Sequence, residues 1–353
     1  MQMDPNHQEL IHVFQLFFDE LPCQYTVINT SHGDADFRET LIAQWPSGEK
    51  CVIKLSDNDF TFPEKIAAWK RCACEYRKMG YYCPRILPSK HGDFPRVAYK
   101  GHTCVVYAEE FSQYKTAQKR CTEDSEETPA FDVKLADAAW LMTAKVAAKR
   151  FDFCDYPSGY CLFESFCPSD RTDEVLENAQ AWLQYAQGLP QRFQTQVQRI
   201  WDRWLANRHE LSLIYPGLPT SVFQADLNPT NLLLDERGEF AGVCDFNLCG
   251  RDVFLNYLFR EIHWQFDEQY LLDTLKKLRC VYRFSDLEIQ AAPLLYRCLK
   301  PLWFTELDAL KAAGTDEQAV ERCLNAVETL QTKEIAFAAY MRDDASADPV
   351  LPE

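Results

Sequence analysis

Residues 223–252 read FQADLNPTNLLLDERGEFAGVCDFNLCGRD, and this stretch decides the fold. A polar segment leads into the apolar run 232–234, a turn containing Gly238, and a second apolar run at 240–243. Apolar runs separated by a glycine turn predict two short antiparallel strands. The chain is therefore expected to form a hairpin whose open end carries polar side chains.

Three of these polar side chains flank the two predicted strands. Asp226 and Asn231 precede the first strand, and Asp245 follows the second. Mg²⁺ is held in proteins by one or two oxygen ligands together with substrate phosphates, and a further carboxylate nearby can accept a hydroxyl proton. The alternative interpretation is that Asp and Asn in turns serve local hydrogen bonds.

The stretch resembles the catalytic segment of the aminoglycoside phosphotransferase and choline kinase families, which are distant relatives of protein kinases. Those families carry H-G-D-x-H/N-x-x-N and, after a hairpin, D-x-E/D; here residues 224–231 read QADLNPTN and residues 245–247 read DFN. The resemblance implies that Asp226 is the catalytic base. It also implies that Asn231 and Asp245 bind Mg²⁺, with ATP or GTP as phosphate donor.

Three residues depart from the family pattern. Gln224 and Ala225 replace the usual His-Gly, which concerns the structure of the loop. Asn247 replaces the usual second acid, which leaves open whether the site holds one metal ion or two.

A lysine lies among β-branched and apolar residues upstream of this stretch. Residues 51–55 read CVIKL, and the pattern resembles the kinase strand whose Lys binds nucleotide phosphates. Without its position relative to Asp226, Lys54 would be read as a surface residue of a half-buried strand. With that position, Lys54 is expected to bind the nucleotide.

Kinases hold this lysine with a Glu from the next helix, which is predicted here at residues 62–79 and ends at Gly80. Two acids qualify, Glu75 and Glu64, and Glu75 is favoured because its position better fits the family. The sequence at 61–64, TFPE, reads instead as a capping box that would occupy Glu64.

The strand at 102–108 leads into a segment where kinases contact adenine through backbone groups. By resemblance this contact falls at about Ala108 to Glu110, and both residues are expected to bind the nucleotide. The loop at 31–36, where kinases cover the nucleotide, has Gly33 as its one glycine, so it lacks a G-x-G-x-x-G motif.

The resemblance implies an α+β, two-lobed protein-kinase-like fold. The N-lobe, residues 1–111, would be a small antiparallel sheet with a nucleotide site. The C-lobe, residues 112–353, would be large, mainly helical, and would carry the catalytic loop and the acceptor site.

Composition limits the remaining classes. The net charge of −16 argues against a nucleic-acid partner, because phosphate backbones require basic patches. The 15 cysteines include no C-x-x-C pair, which argues against a zinc site. No signal peptide and no run of about 18 apolar residues is visible, so no membrane partner and a cytoplasmic location are expected.

Three functions fit these observations. The first is an Mg²⁺-dependent kinase that moves the γ-phosphate of ATP or GTP to a hydroxyl of a small molecule, for which the acidic charge favours a cationic acceptor such as an aminoglycoside or amino-alcohol. The second is a catalytically weak or inactive nucleotide-binding regulatory protein on the same fold. The third is a metal-dependent phosphohydrolase, which leaves Lys54 unexplained.

Overall fold

A computed structural model of the chain describes residues 5–31, 35–118, 132–163, 173–263 and 265–342. Contacts divide the chain into two compact units. The first unit comprises Met1–Ala130, Phe153–Gly159 and Gln224–Gly250, and the second comprises Phe131–Asp152, Tyr160–Phe223 and Arg251–Glu353.

The described ranges contain the following strands and helices, each series numbered in chain order. The strands are β1 (Gln24–Asn29), β2 (Phe37–Gln44), β3 (Lys50–Asp57), β4 (Ile86–Leu87), β5 (Arg96–Tyr99), β6 (His102–Glu110), β7 (Lys115–Thr116), β8 (Thr220–Phe223), β9 (Leu232–Leu234), β10 (Phe240–Val243) and β11 (Gly250–Val253). The helices are α1 (Pro5–Phe17), α2 (Pro63–Lys78), α3 (Val133–Ala147), α4 (Glu174–Ala186), α5 (Gln191–Ile214), α6 (Phe254–His263), α7 (Glu268–Leu278), α8 (Asp286–Leu299), α9 (Phe304–Ala313), α10 (Glu317–Thr332) and α11 (Phe337–Met341).

The first unit is built on an antiparallel sheet with the strand order β1-β2-β3-β6-β4, and β5 pairs with β6. Strand β3 alternates, with Ile53 and Leu55 fully buried on one face and Lys54 on the other. The face of Ile53 packs against α1 through Val13 and Phe14. The opposite face, which carries Lys54, is thereby left for polar chemistry.

Helix α2 confirms the predicted helix almost to the residue, since it covers Pro63–Lys78 and Gly80 follows at φ +90°. Its start differs from the prediction. Phe62 is the N-cap residue and makes no side-chain cap hydrogen bond, so the predicted capping box does not form. The Asn58 side chain instead accepts the Thr61 N–H at 2.8 Å, which orders the chain before the helix.

The predicted hairpin is confirmed as β9 and β10, which pair antiparallel, with β7 on the other edge of β9. Tyr82 joins β10 by backbone hydrogen bonds with Ala241 and Val243, each 2.9 Å long. These bonds explain why residues 224–250 group with the N-terminal sheet. The predicted lobe boundary between residues 111 and 112 stays a prediction.

The second unit is mainly helical and contains α3 to α11, strand β8 and all of β11 except Gly250, and β8 pairs with β11. Its core holds large aromatic side chains that are almost completely buried: Trp140, Trp182, Trp204, Trp303, Phe254, Tyr257 and Tyr282. An antiparallel sheet in one unit and helices in the other confirm the α+β class. Among the residues the structure describes, no helix combines the length and apolar character needed to cross a bilayer.

Candidate active site

The loop before β9 holds the Asp226 carboxylate with two amide groups. Asn228 Nδ2 donates to Asp226 Oδ1 at 2.7 Å, and Asn231 Nδ2 donates to Oδ2 at 2.9 Å. The loop itself is closed by the Asn231 N–H, which donates to the Asn228 carbonyl at 2.9 Å. Both carboxylate oxygens are therefore oriented before any ligand binds.

Two buried amide oxygens lie near this carboxylate. Within the described residues, neither Asn231 Oδ1 nor Asn247 Oδ1 has a hydrogen-bond partner. Asn231 is 2 % exposed, so water does not compensate its oxygen freely. A buried oxygen without a donor fits a cation ligand, because Mg²⁺ and Ca²⁺ are bound by oxygen atoms.

Asp245 follows β10 in a left-handed backbone conformation, with φ +60° and ψ +71°. This region is sparsely populated by residues other than glycine and carries a cost of about 1 to 3 kcal/mol, which surrounding structure must offset. Lys54 Nζ donates to Asp245 Oδ1 at 2.9 Å. The acid and the lysine, 191 residues apart, are therefore in direct contact.

Lys54 has a second acidic neighbour, Glu109 on β6, at 3.4 Å. The register explains this contact. Tyr107 lies opposite Lys54, so Glu109, two residues further on, lies on the same face of the sheet. Burial acts to lower the pKa of Lys54, but the charges of Asp245 and Glu109 outweigh it and raise that pKa well above its usual value.

The predicted ion pair of Lys54 with Glu75 does not form. Glu75 instead accepts a hydrogen bond from Lys78 at 2.7 Å on the same helix, and within the described residues Glu64 is not an ion-pair partner of Lys54 either. Glu109 takes the position beside the lysine. The helix pattern could not reveal this, because the pairing of β3 with β6 brings Glu109 there.

The two residues predicted to contact adenine, Ala108 and Glu110, lie within the sheet. Ala108 is fully buried between Ile53 of β3 and Leu87 of β4. The Glu110 N–H donates to the Arg85 carbonyl at 3.0 Å, so this N–H group is already used. Contacts of Ala108 and Glu110 with a nucleotide base stay a prediction.

A cavity of about 220 Å³ in the first unit brings most of the predicted residues together. Lys54, Asp226, Asn231 and Asp245 all line it, whereas the described residues Glu75, Ala108 and Glu110 do not. Asn247 lines the cavity as well. The other lining residues were given no role in the site by the sequence: Thr30, Arg38, Glu39, Thr40, Leu55, Ser56, Phe60, Thr61, Trp69, Tyr107, Asn228 and Thr230.

Gln224, which replaces the family's usual His, links the two halves of the site. Its Oε1 accepts the Asp226 N–H at 3.1 Å, and its Nε2 donates to the carbonyls of Cys244, at 3.1 Å, and Asp245. The residue is fully buried, and its own N–H donates to the Tyr76 hydroxyl at 3.0 Å. One side chain thus holds Asp226 and Asp245 in a fixed relation.

The donor set suits a nucleotide-bound cation better than a metal held by protein alone. In the described part of the chain, no group of three His, Cys, Asp or Glu residues could hold a metal ion. Asn231 Oδ1 and an Asp245 carboxylate oxygen can supply two ligands, and phosphate oxygens would have to supply the rest.

Comparison with known proteins shows what the sequence and the fold are similar to. The model of the family described as "Phosphotransferase enzyme family" matches residues 129–269, which include Asp226, Asn231 and Asp245. No curated protein matches the sequence.

Solved structures share the fold at low sequence identity. A microcompartment-associated aminopropanol kinase is 14 % identical with a TM-score of 0.51, covering 93 % of this chain and 95 % of that one. The amicoumacin kinase hAmiN in complex with AMP-PNP, Ca²⁺ and Ami is 16 % identical, with a TM-score of 0.51 and coverage of 92 % and 93 %. An aminoglycoside phosphotransferase from Alicyclobacillus acidocaldarius is 13 % identical, with a TM-score of 0.50 and coverage of 91 % and 96 %. These likenesses confirm the protein-kinase-like fold that the resemblance implied.

Proposed function

We propose that the protein is a small-molecule kinase, because residues 129–269 match the model of the family described as "Phosphotransferase enzyme family". It transfers the γ-phosphate of ATP or GTP to a hydroxyl group of its acceptor. The observation that carries the proposal is the cavity in which Lys54, Asp226, Asn231 and Asp245 meet. A lysine, a carboxylate base and two oxygen ligands around one cavity are the parts that phosphoryl transfer requires.

In the proposed reaction, the acceptor hydroxyl oxygen forms a bond to the γ-phosphorus. The bond from that phosphorus to the β,γ-bridging oxygen breaks, and the nucleoside diphosphate leaves with the bridging oxygen. The Asp226 carboxylate accepts the hydroxyl proton. The two amide groups that donate to this carboxylate orient it for that role.

Lys54 binds the phosphates, and Asn231 and Asp245 hold the cation. A divalent cation, for which Mg²⁺ is our proposal, supplies positive charge to the phosphate oxygens when it is bound. The Asn231 oxygen without a partner fits this role. Lys54 contacts Oδ1 of the Asp245 carboxylate at 2.9 Å, and the same carboxylate would hold the cation. Glu109, 3.4 Å from Lys54, is a second acid that holds the lysine in place.

The acceptor is proposed to be a cationic molecule such as an aminoglycoside or an amino-alcohol. The net charge of −16 favours such a molecule, and two of the similar structures are named as an aminopropanol kinase and an aminoglycoside phosphotransferase. A panel of amino-alcohols, aminoglycosides and neutral sugars, each offered with MgATP and MgGTP, separates these classes by the rate of nucleoside diphosphate release.

Replacing Asp226 by Asn tests the assignment of the base. The variant is expected to lower the transfer rate by about 10²- to 10⁴-fold, the usual contribution of a general base, because an amide cannot accept the proton. Binding of MgATP, measured by thermal shift, is expected to persist. Asp235→Asn is the matched control, since Asp235 accepts N–H groups in the turn between β9 and β10 and does not line the cavity. An Asp226→Asn enzyme with the wild-type rate would refute the base.

The second candidate is a nucleotide-binding protein that is weakly active or inactive. The contact of Lys54 with Asp245 favours this candidate. It pairs the lysine proposed for phosphate with the carboxylate proposed for the cation. A Mg²⁺-dependent thermal shift with ATP, but no transfer to any acceptor in the panel, would support this candidate against the kinase.

A further inference from the structure

Arg38 lines the candidate active-site cavity beside Lys54, although no motif pointed to it. Arg38 lies on β2 opposite Ser56 of β3, and Thr40, two residues further on, lies opposite Lys54. Because side chains alternate along a strand, these four residues share one face of the sheet. All four line the cavity.

The position of Arg38 is fixed by its neighbours. Asp36 forms an ion pair with its guanidinium at 2.6 Å, and Asp36 in turn accepts Asn58 Nδ2 at 2.8 Å. The guanidinium lies 5.8 Å from the centre of the Phe60 ring. Its backbone is held as well, because the Arg38 N–H donates to the Ser31 hydroxyl at 2.9 Å.

Part of this guanidinium remains unsatisfied. The Arg38 Nε atom is buried and has no hydrogen-bond partner within the described residues, while the side chain as a whole is 21 % exposed. A buried donor without an acceptor is costly and is normally satisfied by protein, water or ligand. The exposed part of the side chain lies at the cavity that Arg38 lines, where an anionic ligand can contact it.

The charges that line the cavity also favour Arg38 as a second side chain for binding an anion. Among the described residues that line it, Lys54 and Arg38 are the cationic ones. The charge of Lys54 is opposed by two carboxylates, those of Asp245 and Glu109, whereas the ion pair found for Arg38 is with Asp36. Arginine suits phosphate in particular, because its planar group can donate two parallel hydrogen bonds.

We propose that Arg38 is a phosphate-binding residue, and that its guanidinium donates to the polyphosphate of the nucleotide beside Lys54. The proposal rests on the proposed function of this cavity as a nucleotide site. It supplies from a side chain some of the binding that a glycine-rich loop supplies through backbone N–H groups.

The test compares nucleotides that differ in phosphate number. Binding of ATP, ADP, AMP and adenosine to the full chain is measured by calorimetry with Mg²⁺ present. Arg38→Gln is expected to weaken ATP binding by about 10- to 100-fold, the range for a lost charge-assisted hydrogen bond, and to change adenosine binding by less than about 2-fold. Arg38→Lys, which keeps the charge but loses the planar group, is expected to fall between Arg38→Gln and the wild type.

Arg96→Gln is the matched control, since Arg96 is exposed on β5 of the same sheet and does not line this cavity. Equal weakening of ATP and adenosine, or unchanged ATP binding, in Arg38→Gln would overturn the proposal while leaving the nucleotide site intact. If Arg38→Gln does not fold, the ratio of ATP to adenosine affinity in Arg38→Lys decides, and an unchanged ratio overturns the proposal. A wild-type chain that binds no nucleotide overturns both this proposal and the proposed kinase function.

Discussion

Gln224 shows how a single side chain can connect two parts of this site. Gln224 accepts from the Asp226 N–H and donates to the Asp245 carbonyl, so it joins the proposed base to the proposed cation ligand. An amide can perform both tasks at once because it carries an acceptor and two donors. Gln224 therefore connects the two segments that carry the proposed base and the proposed cation ligand.

Gln224→Leu is predicted to separate base and cation ligand. The change leaves the Asp226 N–H and two carbonyls without this partner, and each lost buried hydrogen bond costs about 1 to 3 kcal/mol. We expect a transfer rate at least about 10-fold lower and a higher Mg²⁺ concentration for half-maximal rate, measured by Mg²⁺ titration of steady-state transfer.

Gln198→Leu is the control for this substitution, since Gln198 is exposed on α5 and donates to Asp202 on the same helix. A variant that loses stability but keeps the wild-type Mg²⁺ dependence would show that Gln224 is structural and does not position the site.

At the level of elements, the β9–β10 hairpin depends on close backbone approach. A Cβ atom on Gly242 would lie 1.8 Å from the Tyr82 carbonyl oxygen, which is far inside contact distance. Gly238 in the turn has φ +78° but open space around it. The two glycines are therefore required for different reasons, packing at the first and backbone conformation at the second.

Gly242→Ala and Gly238→Ala are predicted to differ in cost. We expect Gly242→Ala to lower the free energy of unfolding by about 3 kcal/mol, because backbone has to move, and to reduce transfer since Asp245 follows the same strand. Gly238→Ala pays only for its left-handed conformation, about 1 kcal/mol. Urea unfolding of both variants measures the difference. An equal or larger cost for Gly238→Ala would contradict the close approach.

Across the whole molecule, both units contain titratable side chains that are buried away from water. The cysteines illustrate this. Those that the structure describes are free thiols, and many of them are buried. Burial and the charge of Glu109 raise the pKa of Cys51 to about 12, so this thiol is a packing group and not a nucleophile.

The stability of the second unit is predicted to depend on pH through His263. Burial lowers the pKa of His263 to about 3, with Lys300 and Arg260 acting in the same direction, and Nδ1 lies 2.8 Å from the Phe259 carbonyl. Since the unfolded pKa is about 6.5, His263 contributes stability above pH 6.5 that is lost as the pH falls toward 3. The expected slope is up to about 1.4 kcal/mol per pH unit.

His263→Gln is expected to flatten this dependence in urea unfolding measured between pH 4.5 and 7.5, since glutamine does not titrate. His209→Gln, at an exposed position on α5, serves as the control and is expected to leave the curve unchanged. Parallel curves for wild type and His263→Gln would contradict the contribution of the buried imidazole.

Local pattern was sufficient for the elements that carry the site. An apolar, β-branched run indicated the strand that carries Lys54, a glycine turn between apolar runs indicated the β9–β10 hairpin, and residues 62–79 matched α2 to within one residue at either end. These features depend on residues close together in the chain, where backbone preference and periodicity act directly.

The partners of those residues depended on packing across the fold. Strand register brings Glu109 to Lys54 in place of Glu75, and it brings Arg38 to the same cavity. Such contacts join residues far apart in the chain, and a shift of register by one residue would turn each side chain to the opposite face. Local pattern carries no information about that register, so the folded molecule had to supply it.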